Sequence, residues 1–135
     1  MKQVDDTVAR RLRCDWFASV REISDLSLQR RTWLDPKNLN PHSSYIEFAC
    51  SYPDDSRLAG AHSEGWLTKS EFDILIELRR MIGAYSAPTG DDYNNAAILN
   101  DPAWHQVVEA AEQARQQLLT AITNHDERQM LLGRS

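Results

Sequence analysis

Four histidines and two cysteines, set among twenty acidic side chains, are the residues of this 135-residue chain from which chemistry could be built. Metal binding is the first possibility. A structural zinc site takes cysteine and histidine in closely spaced pairs, because two ligands from one turn fix two corners of a tetrahedron. Cys14, His42, Cys50 and His62 stand singly instead. His62-Ser63-Glu64 has the H-x-E spacing of zinc deaminases, but their P-C-x-x-C must follow, and no cysteine follows Cys50. A carboxylate-bridged di-iron bundle requires Glu-x-x-His, which is absent from the sequence. His105 and Glu109 lie one helical turn apart and read as an exposed polar pair. Asp91, Asp92, Asn94 and Asn95 offer calcium-ligand oxygens without calcium-loop spacing, so they read as a capped turn.

Covalent and phosphate chemistry find no better footing. The sequence has no G-x-S-x-G elbow, and neither Cys14 nor Cys50 has a histidine close in sequence, so both read as buried thiols. Gly60, Gly65, Gly83 and Gly90 never cluster into a phosphate-cradling loop. No catalytic residue, metal or cofactor is assigned. The chain is read as a binding protein rather than an enzyme.

A surface signature remains. Tyr52-Pro53-Asp54-Asp55 places an aromatic beside two carboxylates, and Gly90-Asp91-Asp92-Tyr93 repeats that chemistry. Interfaces anchor through aromatic side chains, while surrounding charge sets partner choice and association rate. With Glu47 and Glu64 added, the candidate partner-binding residues are Glu47, Tyr52, Asp54, Asp55, Glu64, Asp91, Asp92 and Tyr93. Trp66 could extend the same surface. The plainer alternative is that both clusters are polar turns carrying half-buried tyrosines.

Helices must position these residues. Leu12, Trp16, Val20, Ile23 and Ser27 follow three-and-four spacing, which predicts one amphipathic helix from about Asp6 to Trp33, capped by Asp5 or Asp6. Pro36, Asn38, Asn40 and Pro41 then make a loop. Tyr45 to Tyr52 fits either strand alternation or a helix. The S-x-x-E pattern of Ser44 and Glu47 favours the helix, and a lone strand would lack a partner. Thr68-Lys69-Ser70-Glu71 is a second capping box, opening a helix to about Tyr85 whose apolar residues surround most of its circumference. That helix is expected at the centre. Asp101 and Pro102 announce the last long helix, with Trp104, Val107, Val108, Ala111, Ala114, Leu118 and Ile122 facing inward. From His125 the chain continues the helix, frays, or starts a short final turn. The fold class expected is all-α, a single-domain bundle of four to five helices spanning residues 1–135 with a buried central helix at about 69–85.

Bulk properties narrow the partner. Apolar residues make up 41% and charged residues 26%, as in ordinary globular chains. No segment resembles a secretory signal or a run of about twenty apolar residues that would cross a bilayer, so a cytoplasmic protein with no membrane partner is expected. The unpaired cysteine usage suits a reducing compartment. Residues 1–45 carry eight basic and six acidic side chains, whereas residues 46–135 carry seven basic and fourteen acidic ones, for a net charge of −5. Nucleic-acid binding leaves a basic footprint, so no nucleic-acid partner is expected and a basic protein is favoured.

Two stretches carry a resemblance: Trp33-Leu34-Asp35 through Asn40-Pro41-His42 and Tyr45-Ile46-Glu47-Phe48 to Tyr52-Pro53-Asp54-Asp55, and Gly90-Asp91-Asp92-Tyr93 through Ile98-Leu99-Asn100-Asp101-Pro102-Ala103-Trp104. Across roughly residues 33–122 the chain resembles small helical bacterial immunity proteins encoded beside polymorphic toxins of contact-dependent inhibition, Rhs or type VI secretion loci. These are packing and turn motifs rather than a catalytic signature. Tyr52-Pro53 followed by acids is also similar to the acidic, tyrosine-bearing surface of nuclease-colicin immunity proteins, although length and helix order depart from that family. The resemblance implies a cognate toxin domain, basic and of nuclease type, as the partner. The residues are also compatible with a structural or regulatory protein that self-associates, and with an enzyme whose groups converge only in space.

Overall fold

The computed structural model describes residues 6–35 and 44–133, and those residues are helical without strands. The loop expected around Pro36 to Pro41, the cap at Asp5, and His42 lie outside them. No helix among the described residues is long and apolar enough to cross a membrane.

The long first helix expected from the sequence is two helices, α1 (Asp6–Ile23) and α2 (Leu26–Trp33). The break has a local cause: Asp25 accepts from the Leu28 N–H at 2.9 Å and becomes the N-cap of α2, while Ser24 Oγ donates to the Arg21 carbonyl at 2.6 Å. Both side chains offer the backbone an alternative to continuing the ladder. The next elements are α3 (Tyr45–Ser51), α4 (Asp55–Ser63) and α5 (Lys69–Ala84). The helical reading of Tyr45 to Tyr52 holds, with Ser44 Oγ accepting from the Glu47 N–H at 3.2 Å. At α5 the Thr68–Glu71 box is fully formed: Thr68 Oγ1 accepts from Glu71 N–H and Glu71 Oε1 from Thr68 N–H. A 3₁₀ turn at Pro88–Gly90 leads to α6 (Asn95–Leu99), α7 (Pro102–Ala121) and α8 (His125–Leu132). The chain thus divides into more and shorter helices than the four or five expected.

Each additional helix begins at its own capping side chain, namely Asp54 for α4, Asn94 for α6 and Asn124 for α8. The centre is also different from expectation. α7 packs against α1, α5, α6 and α8, and all seven side chains assigned to its inner face are buried. α5 is not the buried central helix: it buries Glu71, Leu75, Leu78 and Ile82, but Asp73, Glu77, Arg80, Gly83 and Ala84 are exposed and Phe72, Ile74, Ile76 and Met81 only half-buried. Its apolar residues go round the axis because the two sides pack on α4 and α7, leaving a wet edge between.

One end of the core is aromatic. Trp33, Tyr45, Phe48, Tyr85 and Trp104 meet at centroid separations of 5.1–6.5 Å in mostly edge-on or tilted pairs, the geometry that the ring quadrupoles favour. Gln29 polarises this apolar region: its amide donates to the Glu22 and Ile23 carbonyls at 2.9 and 3.0 Å, and its oxygen accepts from Trp104 Nε1 at 2.9 Å. That ties α2 to α7 through a fully buried amide with its hydrogen bonds made.

Candidate functional site

Two polar regions compete for attention, and they are opposite in character. The one that sequence reading missed centres on Arg13 of α1. Its Nη1 and Nη2 donate to Glu71 at 2.7 and 2.8 Å, its Nε and Nη2 to Glu127 at 2.8 and 2.9 Å, and Nη1 also donates to the Trp66 carbonyl at 2.7 Å. Glu71 and Glu127 are 5% and 6% exposed, so both carboxylates have left water for this one cation. Burial alone would raise the Glu71 carboxyl, but the hydrogen bonds from Arg13 and Thr68 outweigh it and hold the group below its usual range. Burial likewise opposes the Arg13 charge, and its two carboxylate partners reverse that effect and raise its pKa.

A guanidinium has five N–H donors, and here five hydrogen bonds use them. No donor remains for an external oxyanion. The cluster therefore joins α1, α5, α8 and the turn at Trp66 rather than serving chemistry. Cys14, next to it, is only half-buried, and its thiol is pushed up by burial and then by the charges of Glu127, Asp126 and Asp15. That environment disfavours a thiolate nucleophile. Cys50 is exposed, so the expectation of two buried thiols does not hold. No group of three His, Cys, Asp or Glu side chains among the described residues is placed to hold a metal ion.

The second region carries the candidate partner-binding residues, and the structure separates them into unequal parts. Asp91, Asp92 and Tyr93 are exposed on the loop before α6, Tyr93 by 83%. Short-range bonds define that loop: Asp91 Oδ1 accepts from Tyr93 N–H at 3.0 Å, and Asn94 Oδ1 accepts from Ala97 N–H at 3.1 Å. The calcium-like string is thus the capped turn expected. The loop is entered through Gly90 at φ 74° and Thr89 at φ 58°, a left-handed conformation that a β-branched residue adopts only at a cost of about 1–3 kcal/mol. It rests on the start of α3, whose Tyr45 N–H donates to Asn95 Oδ1 at 3.2 Å. Burial, and then the nearby Asp92 charge, raises the Tyr45 phenol.

Glu47 lies half-buried on α3. At the far end of α3, roughly 10 Å away by helical rise, the second aromatic–acid cluster behaves differently. Tyr52 is only 3% exposed and its hydroxyl donates to the Leu75 carbonyl at 2.6 Å, with burial raising its pKa. It anchors the α3–α4 junction onto α5 and is not an outward-facing anchor. A tyrosine is apolar over its ring and needs one acceptor for its tip, so a core site with a carbonyl suits it as well as a surface does. Asp54 and Asp55 are exposed at the start of α4, Asp54 as N-cap with Oδ1 accepting from Arg57 N–H at 2.8 Å. Arg57 and Arg79 stand beside them, so this patch is of mixed sign.

Glu64 is at the other end of α4, half-buried, and accepts from Trp66 Nε1 at 3.3 Å. Trp66 itself packs against Trp16 in a tilted pair with centroids 5.0 Å apart and is not part of an acidic face. Of the remaining acids after residue 46, Asp73, Glu77 and Glu112 are paired with Lys69, Arg80 and Arg115. His105 departs from the exposed-pair reading: it is half-buried, with Nε2 2.6 Å from the Leu99 carbonyl, to which it donates across the α6–α7 turn.

Comparison with protein-family models, with curated proteins and with solved structures finds no match.

Proposed function

We propose that the chain is an immunity protein, one helical domain over residues 1–135 that acts in the bacterial cytoplasm by binding a cognate toxin domain and blocking it stoichiometrically. The partner is basic and of nuclease type, since a site that handles nucleic acid must itself be positively charged. What carries the reading is Tyr93, a large aromatic 83% exposed and flanked by two exposed carboxylates on a loop held by its own hydrogen bonds. A backbone already held by local hydrogen bonds loses little freedom on docking, and the neighbouring acids accelerate encounter with a cationic surface. Asp54, Asp55 and Glu47 extend the contact, with Glu64 at its margin. The test is co-purification from the native host with mass spectrometry, followed by association kinetics at low and high salt. One toxin domain, captured about tenfold more slowly by the D91N/D92N variant at low salt, is the expected outcome; unchanged association by both that variant and Tyr93→Ala would refute the interface.

Self-association is a second reading, favoured by the groove of about 370 Å³ between α5 and α7. Ile74, Leu78, Met81, Ala110 and Ala114 form its apolar lining; its α7 wall carries only the uncharged Gln113 and Gln117 beside them, while Asp73 and Glu77 stand on the α5 wall. Charge depletion marks the centre of interfaces. A dimer that survives high salt in light scattering supports this second reading, and a monomer removes it.

A further inference from the structure

Where α3 gives way to α4, Ala49, Cys50, Tyr52, Asp54, Arg57 and Arg79 line an open pocket of about 330 Å³. Its two arginines are unlike those that brace the fold. Arg13, Arg21, Arg80 and Arg115 each bind a carboxylate, and Arg128 donates to the Leu119 and Ile122 carbonyls. Neither guanidinium of the pocket has a carboxylate or carbonyl partner among the described residues. The only carboxylate in the lining is Asp54, and one of its oxygens is already engaged by the Arg57 N–H. The lining therefore carries a net positive charge within a chain of net charge −5.

We propose that this pocket binds a small oxyanion, a carboxylate or phosphate group carried by a soluble molecule. Arg57 lies with its guanidinium carbon 5.9 Å from the Trp16 ring centroid. A cation–π contact does not consume the N–H donors as a carboxylate pair would, so the fork of the exposed Arg57 is not committed to a protein acceptor among the described residues. Arg79 is half-buried on α5, one turn beyond the Leu75 carbonyl that fixes Tyr52, so the pocket wall beneath it is held by the core. Two guanidiniums on separate helices can grip one oxyanion from two directions, a stronger arrangement than a single surface pair. Asp54 limits the class: it repels a bare polyanion and accepts from a hydroxyl or amino group beside the oxyanion. Small hydroxy acids and phosphate esters use all three residues.

Cys50, exposed in the lining, is a built-in reporter. Its alkylation by iodoacetate, followed by peptide mass spectrometry at constant ionic strength, is measured with inorganic phosphate or glycerol 3-phosphate as competitor. Saturating competitor is expected to slow alkylation of Cys50 roughly tenfold and leave Cys14 unchanged, with glycerol 3-phosphate effective at lower concentration. Arg57→Gln and Arg79→Gln should each abolish the protection, and Arg79→Lys should keep part of it. Equal protection in both glutamine variants, or none in the unaltered protein, overturns the proposal. Protection by an acidic peptide but by neither small probe also overturns it, since the pocket would then receive a protein side chain. Should a variant fail to fold, phosphate titration of the unaltered protein by NMR decides: saturable shifts confined to residues 49–57 and the α5 turn around Arg79 support the site, and scattered or linear shifts refute it.

Discussion

The Arg13 cluster and the Asp91–Tyr93 loop use the same side-chain chemistry to opposite ends. In the first, two carboxylates are withdrawn from water and locked by one cation with every donor engaged. In the second, two carboxylates and an aromatic face solvent on a loop whose hydrogen bonds are local. Buried charge is worth what its partners make it, whereas exposed charge costs the fold nothing and remains available to another molecule. The acidic character of the chain after residue 46 is therefore not one surface: part of it is internal architecture, part is neutralised along helices, and a small part faces solvent.

Mutations on the two sides should therefore separate stability from binding. The largest effect is expected from Arg13→Ala, which strands Glu71 and Glu127 without their cation and should cost about 3–5 kcal/mol in urea unfolding. Restoring neutrality with Glu71→Gln and Glu127→Gln should recover part of that loss. The same cluster sets a pH limit. Because the Glu71 carboxyl is held below its usual value of 4.5 in the fold, its contribution is present above that value and disappears as pH falls through the folded value. The urea midpoint should drop on the acid side, and less so in Glu71→Gln.

Next in size is Tyr93→Ala, expected to weaken binding of the proposed toxin partner by about 2 kcal/mol or more while changing stability by under about 0.5 kcal/mol. A stability loss comparable to the binding loss would erase the distinction between the two regions. Tyr52→Phe should do the reverse, removing the bond to the Leu75 carbonyl for about 1 kcal/mol of stability with no change in the association rate of the proposed partner. The smallest change is Thr89→Gly, which relieves the left-handed backbone at φ 58° and should stabilise by up to about 1 kcal/mol, read as a higher melting temperature.

Much of the helical content was legible because its signals are local. The Thr68–Glu71 box and the Asp101-Pro102 start lie within four residues of the helices they open, and the α7 stripe repeats through five turns. The split at Asp25 was hidden because Asp25 suits the polar face of a continuous helix as well as the cap of a new one. α4 escaped notice because Ala59, Gly60 and Ala61 give it little amphipathic contrast, and only Leu58 and Ala61 are buried. The site residues divide in the same way. Exposure of Asp91 and Tyr93 followed from turn chemistry, but Tyr52 could be placed only by knowing that a carbonyl 23 residues away would meet its hydroxyl. The Arg13–Glu127 contact joins residues 114 apart, a distance over which periodicity is silent.

That same contact shapes the birth of the protein. Among the described helices α8 emerges after all the others, and until Glu127 arrives the Arg13 guanidinium has only part of its final partner set. Early segments can form their turns during synthesis, but closure of this cluster must wait until Glu127 has been made, as it does wherever the decisive pairing is remote along the chain. Chains interrupted before α8 would keep the Arg13–Glu71 pair but leave the Nε donor and one Nη2 donor of Arg13 without their Glu127 acceptors.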